Sequence, residues 1–231
     1  MLTGLAMIGP RLALLIVLLG APVALAAETA APGAAPDAGK SVDEDGGPEP
    51  IPAAADTLSG HLLLAAGPLL SVPFAKLDSR TDFSDAAGFG LGVGGNLGIG
   101  VARSLSLGGY VEYVKFGHPS GCSSCEATSL AFGPFVRYHL VQGVRFDPQL
   151  LLGVGYRKLD ATTLSGTTKY TGIDWLKLEL GGDWFALSQV GFGPYAELTF
   201  GSFTDRPADH NAAVYGSFTA GLRVALDAQG K

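Results

Sequence analysis

The chain has 231 residues, of which 47% are hydrophobic, 34 are Gly and only 16% are charged. Soluble domains average about 25% charged residues, so an ordinary water-facing surface is excluded. The net charge of −6 comes essentially from Glu28, Asp37, Asp43, Glu44, Asp45, Glu49 and Asp56 against Lys40, which leaves no basic face for nucleic acid.

Residues 1–26 read as a cleaved secretory signal. Arg11 supplies the positive charge, Leu12–Ala24 the apolar run and Ala24-Leu25-Ala26 the small-x-small site. Residues 27–56 are Ala, Pro, Gly and acid without an apolar period. Such a segment buries too little to offset its ordering entropy and predicts a disordered periplasmic linker.

Residues 57–231 alternate with period two, as strands with two unlike faces do. Leu62–Phe74 is the first and weakest run, because Leu63 and Leu69 fall on the polar face. Phe89–Val101, Leu105–Tyr113, Leu130–Leu140, Pro148–Arg157, Leu176–Trp184, Val190–Phe200 and Val214–Leu226 follow. Short turns at Ala102–Ser104, Val141–Gly143 and Leu187–Ser188 alternate with polar connections at Lys76–Gly88, Gly117–Ser129, Lys158–Gly172 and Ser202–Ala212. That order predicts an all-β, eight-stranded antiparallel up-and-down transmembrane β-barrel with periplasmic termini and four extracellular loops. Pro68, Pro134, Pro148 and Pro194 lie inside strands, three of them after Gly. A closed barrel has no edge to absorb the missing donor, so bulges are expected there.

Alternation also fits a lipocalin-like barrel turned inside out. Composition decides between the two. One face is nearly free of charge, as lipid requires, since a lipid-facing charge at mid-membrane costs roughly 2–4 kcal/mol. The other is rich in Gly, Ser and Ala, which suits a narrow filled lumen.

The eight alternating strands, the leader, the Gly-Pro strand segments and the final aromatic–aliphatic strand resemble the OmpA-like and related small outer-membrane β-barrel families. The resemblance spans about Leu58 to Leu226. It implies a place in the bacterial outer membrane, contact with outer-membrane lipids and lipopolysaccharide, and insertion by the barrel-assembly machinery. Members often end on an aromatic residue, whereas this chain continues past Leu226 with Asp-Ala-Gln-Gly-Lys.

Glu112, Glu179, Asp183 and Glu197 share the inward face with Arg137, Arg157, Lys177 and Arg223. The signs balance, so a paired polar plug is expected, with a narrow ion channel as the alternative. Cys122 and Cys125 are close enough to form a local loop disulfide. A zinc site would need a second ligand pair. His118-Pro119-Ser120 resembles the His-x-Ser element of PagL-type lipid A deacylases, implying His118 as base, Ser120 as nucleophile and Glu126 as the orienting acid. The residues that usually follow that element are absent. His61, His139 and His210 stand alone in the sequence, and Asp78, Asp82, Asp85, Asp205 and Asp209 read as a solvated loop rim. No cofactor pattern is present. The sequence favours a non-enzymatic barrel that serves envelope integrity or surface recognition.

Overall fold

The computed structural model describes residues 58–118, 125–140, 146–163, 166–207 and 210–229. The expected leader and linker, together with Ser120 and Cys122, lie outside the described residues. Eight strands run in chain order: β1 (Leu62–Ala75), β2 (Gly90–Ala102), β3 (Leu105–Phe116), β4 (Glu126–His139), β5 (Phe146–Thr163), β6 (Gly166–Phe185), β7 (Val190–Asp205) and β8 (Val214–Asp227). A single helical turn, α1 (Phe83–Ala86), lies between β1 and β2. Each strand pairs antiparallel with its sequence neighbour, and β1 closes on β8.

The two faces separate as alternation demands. Leu91 is 61% exposed on the outer wall and Leu222 is 63% exposed, whereas Lys177 is 1% exposed in the lumen. An apolar exterior around a charged interior is a transmembrane barrel and the reverse of a lipocalin. Outward aromatics band the wall at two heights. Tyr138, Phe146, Trp184 and Phe192 lie near the short turns, and Phe74, Tyr113, Trp175 and Phe200 lie near the opposite end. Leu63 and Leu69, the two residues that weakened the first run, do face inward and are buried.

The connection expected at Lys158–Gly172 is instead a hairpin, because β5 runs to Thr163 and β6 begins at Gly166. These strands have 18 and 20 residues against 13 and 12 in β2 and β3. A crossing takes about 9–11. Registers shift at Asp174/Leu176 against β7 and at Gly153/Gly155 opposite them in β5, so Trp175 is an extra residue. This bulge reverses the face phase. Asp174 and Lys177 both point inward across it, and the sequence alternation stops at Leu176.

The prolines do not cause bulges. Pairing keeps one register across Pro68, from Ala66↔Val224 to Leu69↔Gly221. The same holds across Pro134, from Phe132↔Tyr156 to Phe135↔Gly153, and across Pro194, from Gly181↔Tyr195 to Trp184↔Phe192. The residue opposite each proline instead brings its carbonyl against the preceding glycine. A Cβ on Gly67 would lie 2.0 Å from Leu222 O, one on Gly133 2.0 Å from Val154 O, and one on Gly193 1.7 Å from Gly182 O. A Cα–H facing the carbonyl stands in for the donor that proline lacks.

Residues past Leu226 close the seam. Asp227 bonds His61 at 2.9 Å, Gln229 Oε1 accepts the Leu62 N–H at 2.9 Å, and Gln229 Nε2 donates to Gly60 O at 3.2 Å. Gly193→Ala is expected to lower stability by about 1–3 kcal/mol through overpacking. Gly109→Ala, whose Cβ would meet its nearest atom at 3.7 Å, should be nearly neutral. Urea unfolding of the two variants in detergent, followed by heat-modifiable gel mobility, checks the contrast.

Candidate functional site: the lumen and its outer cap

Burying a charge in so narrow a space is costly unless it is paired and hydrogen-bonded. Three cations meet that demand. Lys177 on β6 sits between Glu112 on β3 and Glu197 on β7, and its Nζ lies 4.4 Å from the Tyr110 ring centroid. Thr199 Oγ1 donates to Glu197 at 2.7 Å. Arg223 on β8 pairs with Glu179 and, at 2.9 Å, with Asp183, while Gln149 donates a further bond to Asp183. Arg157 on β5 grips Asp174 through Nε at 3.0 Å and Nη2 at 2.9 Å, and reaches Ser129 through Nη1 at 3.0 Å. The Tyr215 hydroxyl also donates to Asp174.

All eight residues expected in the lumen are buried there. Their pairing differs from a simple four-against-four balance. Arg157 takes Asp174, which lies behind the Trp175 bulge, between the expected connection at Lys158–Gly172 and the expected strand from Leu176. Arg137 stacks over the Phe135 ring with its Cζ at 4.9 Å, and its Nε and Nη2 meet no acceptor among the described residues. Tyr110 and Asn96 line, with Lys177 and Glu179, a space of about 20 Å³. That holds about one water.

The β1–β2 connection is not a free polar loop. It folds into the mouth, where Phe83 of α1 packs edge-on against Tyr215 with centroids 6.0 Å apart and lies 5.9 Å from Phe116. Phe203 stacks on Tyr215 at 4.4 Å and meets Tyr170 at 5.5 Å. With Leu77, Ala86, Ala87 and Leu159 these rings form an apolar cap over the charged lumen.

Asp78 fastens the cap and is fully buried, contrary to its expected place on a solvated rim. It accepts bonds from the Arg80 and Thr81 N–H groups at 2.8 and 2.9 Å, from Tyr170 at 3.2 Å and from His210 at 2.8 Å. Ser79 and Asn211 exchange two further bonds beside it, each 3.0 Å long. Burial opposes ionisation of Asp78, but His210, the two N–H groups and Tyr170 outweigh it and hold the carboxyl below its usual range. His61 pairs with Asp227 and His139 with Asp147, so all three histidines that stood alone in sequence have acidic partners.

Of the hydrolase set that the resemblance implies, His118 and Glu126 are among the described residues and Ser120 is not. Glu126 opens β4 rather than lying in a loop, and its carboxylate pairs with Lys115 at 3.0 Å. His118 Nδ1 donates to the Cys125 carbonyl. Cys125 is disulfide-bonded. Among the described residues no three His, Cys, Asp or Glu side chains converge to hold a metal.

Lys177→Met should leave Glu112 and Glu197 uncompensated and cost about 3–5 kcal/mol. Lys177→Met with Glu112→Gln and Glu197→Gln should recover much of that loss, as read from urea midpoints in detergent. The Asp78 contribution is present above its unfolded pKa of about 3.9 and fades as pH falls through the lower folded value. Proteolysis of the cap should therefore accelerate in acid, and Asp78→Asn should make it fast at every pH.

No protein-family model matches the chain, and no curated protein matches it. Among solved structures, Neisserial surface protein A aligns with a TM-score of 0.48 and 16% identity, over 72% of this chain and 97% of that one. The outer membrane protein OprG from Pseudomonas aeruginosa aligns at 0.46 and 14%, over 74% and 97%. Ail, the attachment invasion locus protein of Yersinia pestis, aligns at 0.44 and 12%, over 73% and 99%.

Proposed function

We propose that this chain is a bacterial outer-membrane barrel that acts as a rigid scaffold, holding four extracellular connections over a closed lumen, and serves envelope integrity or surface recognition. The carrying observation is the combination of an apolar outer wall with a lumen that is filled by paired charges and capped by the Phe83 segment. Such an interior leaves nothing for a diffusing ion, which weighs against the channel alternative. His118 Nδ1 is taken by the Cys125 carbonyl and the Glu126 carboxylate by Lys115, which weighs against a PagL-like hydrolase at the loops.

In this reading residues 1–26 are removed on export, residues 27–56 form a periplasmic linker, and the termini stay in the periplasm. The barrel-assembly machinery inserts the chain, and outer-membrane lipids and lipopolysaccharide surround its wall. Cys122 and Cys125 clip the second extracellular connection together.

Topology and role are tested in one strain set. A short tag inserted between residues 164 and 165 should be labelled on intact cells, whereas a tag after Lys231 should be labelled only after the outer membrane is opened. Deleting the gene should raise sensitivity to detergent or weaken surface adhesion while leaving the lipid A acyl pattern unchanged. A changed acyl pattern would overturn the scaffold reading. Purified protein in planar bilayers should give no unitary current steps.

A further inference from the structure

The periplasmic end of the lumen brings four groups together. Ser106 is the second residue of β3, His139 the last of β4 and Asp147 the second of β5. His139 Nδ1 lies 2.8 Å from Asp147 Oδ2, and His139 Nε2 lies 3.4 Å from Ser106 Oγ. With the Nδ1 proton donated to the carboxylate, Nε2 presents its lone pair to the hydroxyl. Arg137 stands directly opposite Ser106 in the β3–β4 register and shares its inward face. That places their Cβ atoms about 5 Å apart. The Arg137 Nε and Nη2 groups are buried and meet no acceptor among the described residues. A hydroxyl, a base aimed at it and an acid orienting the base are the nucleophile-activating parts of an acyl-transfer centre.

We propose that Ser106, His139 and Asp147 form a nucleophile–base–acid set for short-chain carboxylic esters entering from the periplasmic end, with the buried positive charge of Arg137, on the paired position of β4, favouring the oxyanion. Ser106 Oγ forms a bond to the ester carbonyl carbon as its proton passes to His139 Nε2. The displaced carbonyl electron pair rests on oxygen beside Arg137. Collapse breaks the ester C–O bond, and the leaving alcohol takes the proton from Nε2. Water then attacks the acyl-Ser106, with His139 again accepting and returning the proton, and releases the carboxylic acid.

Ser106, His139 and Asp147 lie within two residues of their strand ends, about 7 Å from the rim at 3.4 Å per residue. Ser106 is enclosed, so reaction waits on local opening of the mouth and a bulky acyl group does not fit. This site is remote from the capped extracellular end. Its failure would leave the scaffold role untouched.

The test treats the folded full-length barrel in detergent with diisopropyl fluorophosphate, followed by intact mass and peptide mapping. One adduct per chain at Ser106 is expected. It should be absent in Ser106→Ala and form about a hundredfold more slowly in His139→Gln, the loss typical of a general base. Slow hydrolysis of p-nitrophenyl acetate should fall in parallel. Heat-modifiable mobility reports that each variant is folded. Failure of the folded wild-type protein to form an adduct, or an adduct that persists in Ser106→Ala, overturns the assignment.

Discussion

The width of an eight-stranded barrel governs this molecule. Such a lumen is just wide enough to be filled by side chains, so any charge turned inward must find its partner on another wall of the same cylinder. Lys177 reaches across to strands on two sides, Arg223 spans from β8 to two acids on β6, and Arg157 meets Asp174 on its neighbour. The outer wall is then free to be apolar between its two aromatic bands. The strands carry one continuous division of labour, with lipid contact on one face and electrostatic closure on the other.

What the period-two pattern encodes, it encodes well. The eight strands and their antiparallel order were legible from alternation, and composition then told which face turns inward, from Glu112 to Arg223 and with Leu63 and Leu69. Alternation fails where a strand gains a residue. Trp175 reverses the phase of β6, so residues 158–172 read as a polar connection and Asp174 fell between that connection and the strand. The dyads of His61 with Asp227 and of His210 with Asp78 were invisible for another reason: closure of the ring joins positions far apart in the chain. Local spacing rules carry no information about such pairs.

The cap was hidden by composition. Lys76–Gly88 contains several polar residues, and its only inward apolar residues are Leu77, Phe83, Ala86 and Ala87. No periodic signal marks four apolar residues in so irregular a segment. The Gly-Pro pairs misled in the opposite direction. They stood out in the sequence, and the expected bulge followed from the missing N–H alone. The structure keeps its register because a glycine before each proline lets the opposing carbonyl come close.

The arrangement of ion pairs also sets an order in time. A sheet that has not yet taken up β8 lacks Arg223, the counter-ion of Glu179 and Asp183 on β6. Lys177 likewise lacks Glu197 until β7 is in place. A half-built sheet therefore carries unmatched charge on the face destined to become the lumen, and only its water contact keeps that tolerable. When β8 meets β1, neutralisation and closure happen together. The last strand thus works as a keystone, and an open, partly inserted ring is left with charges that lipid would reject.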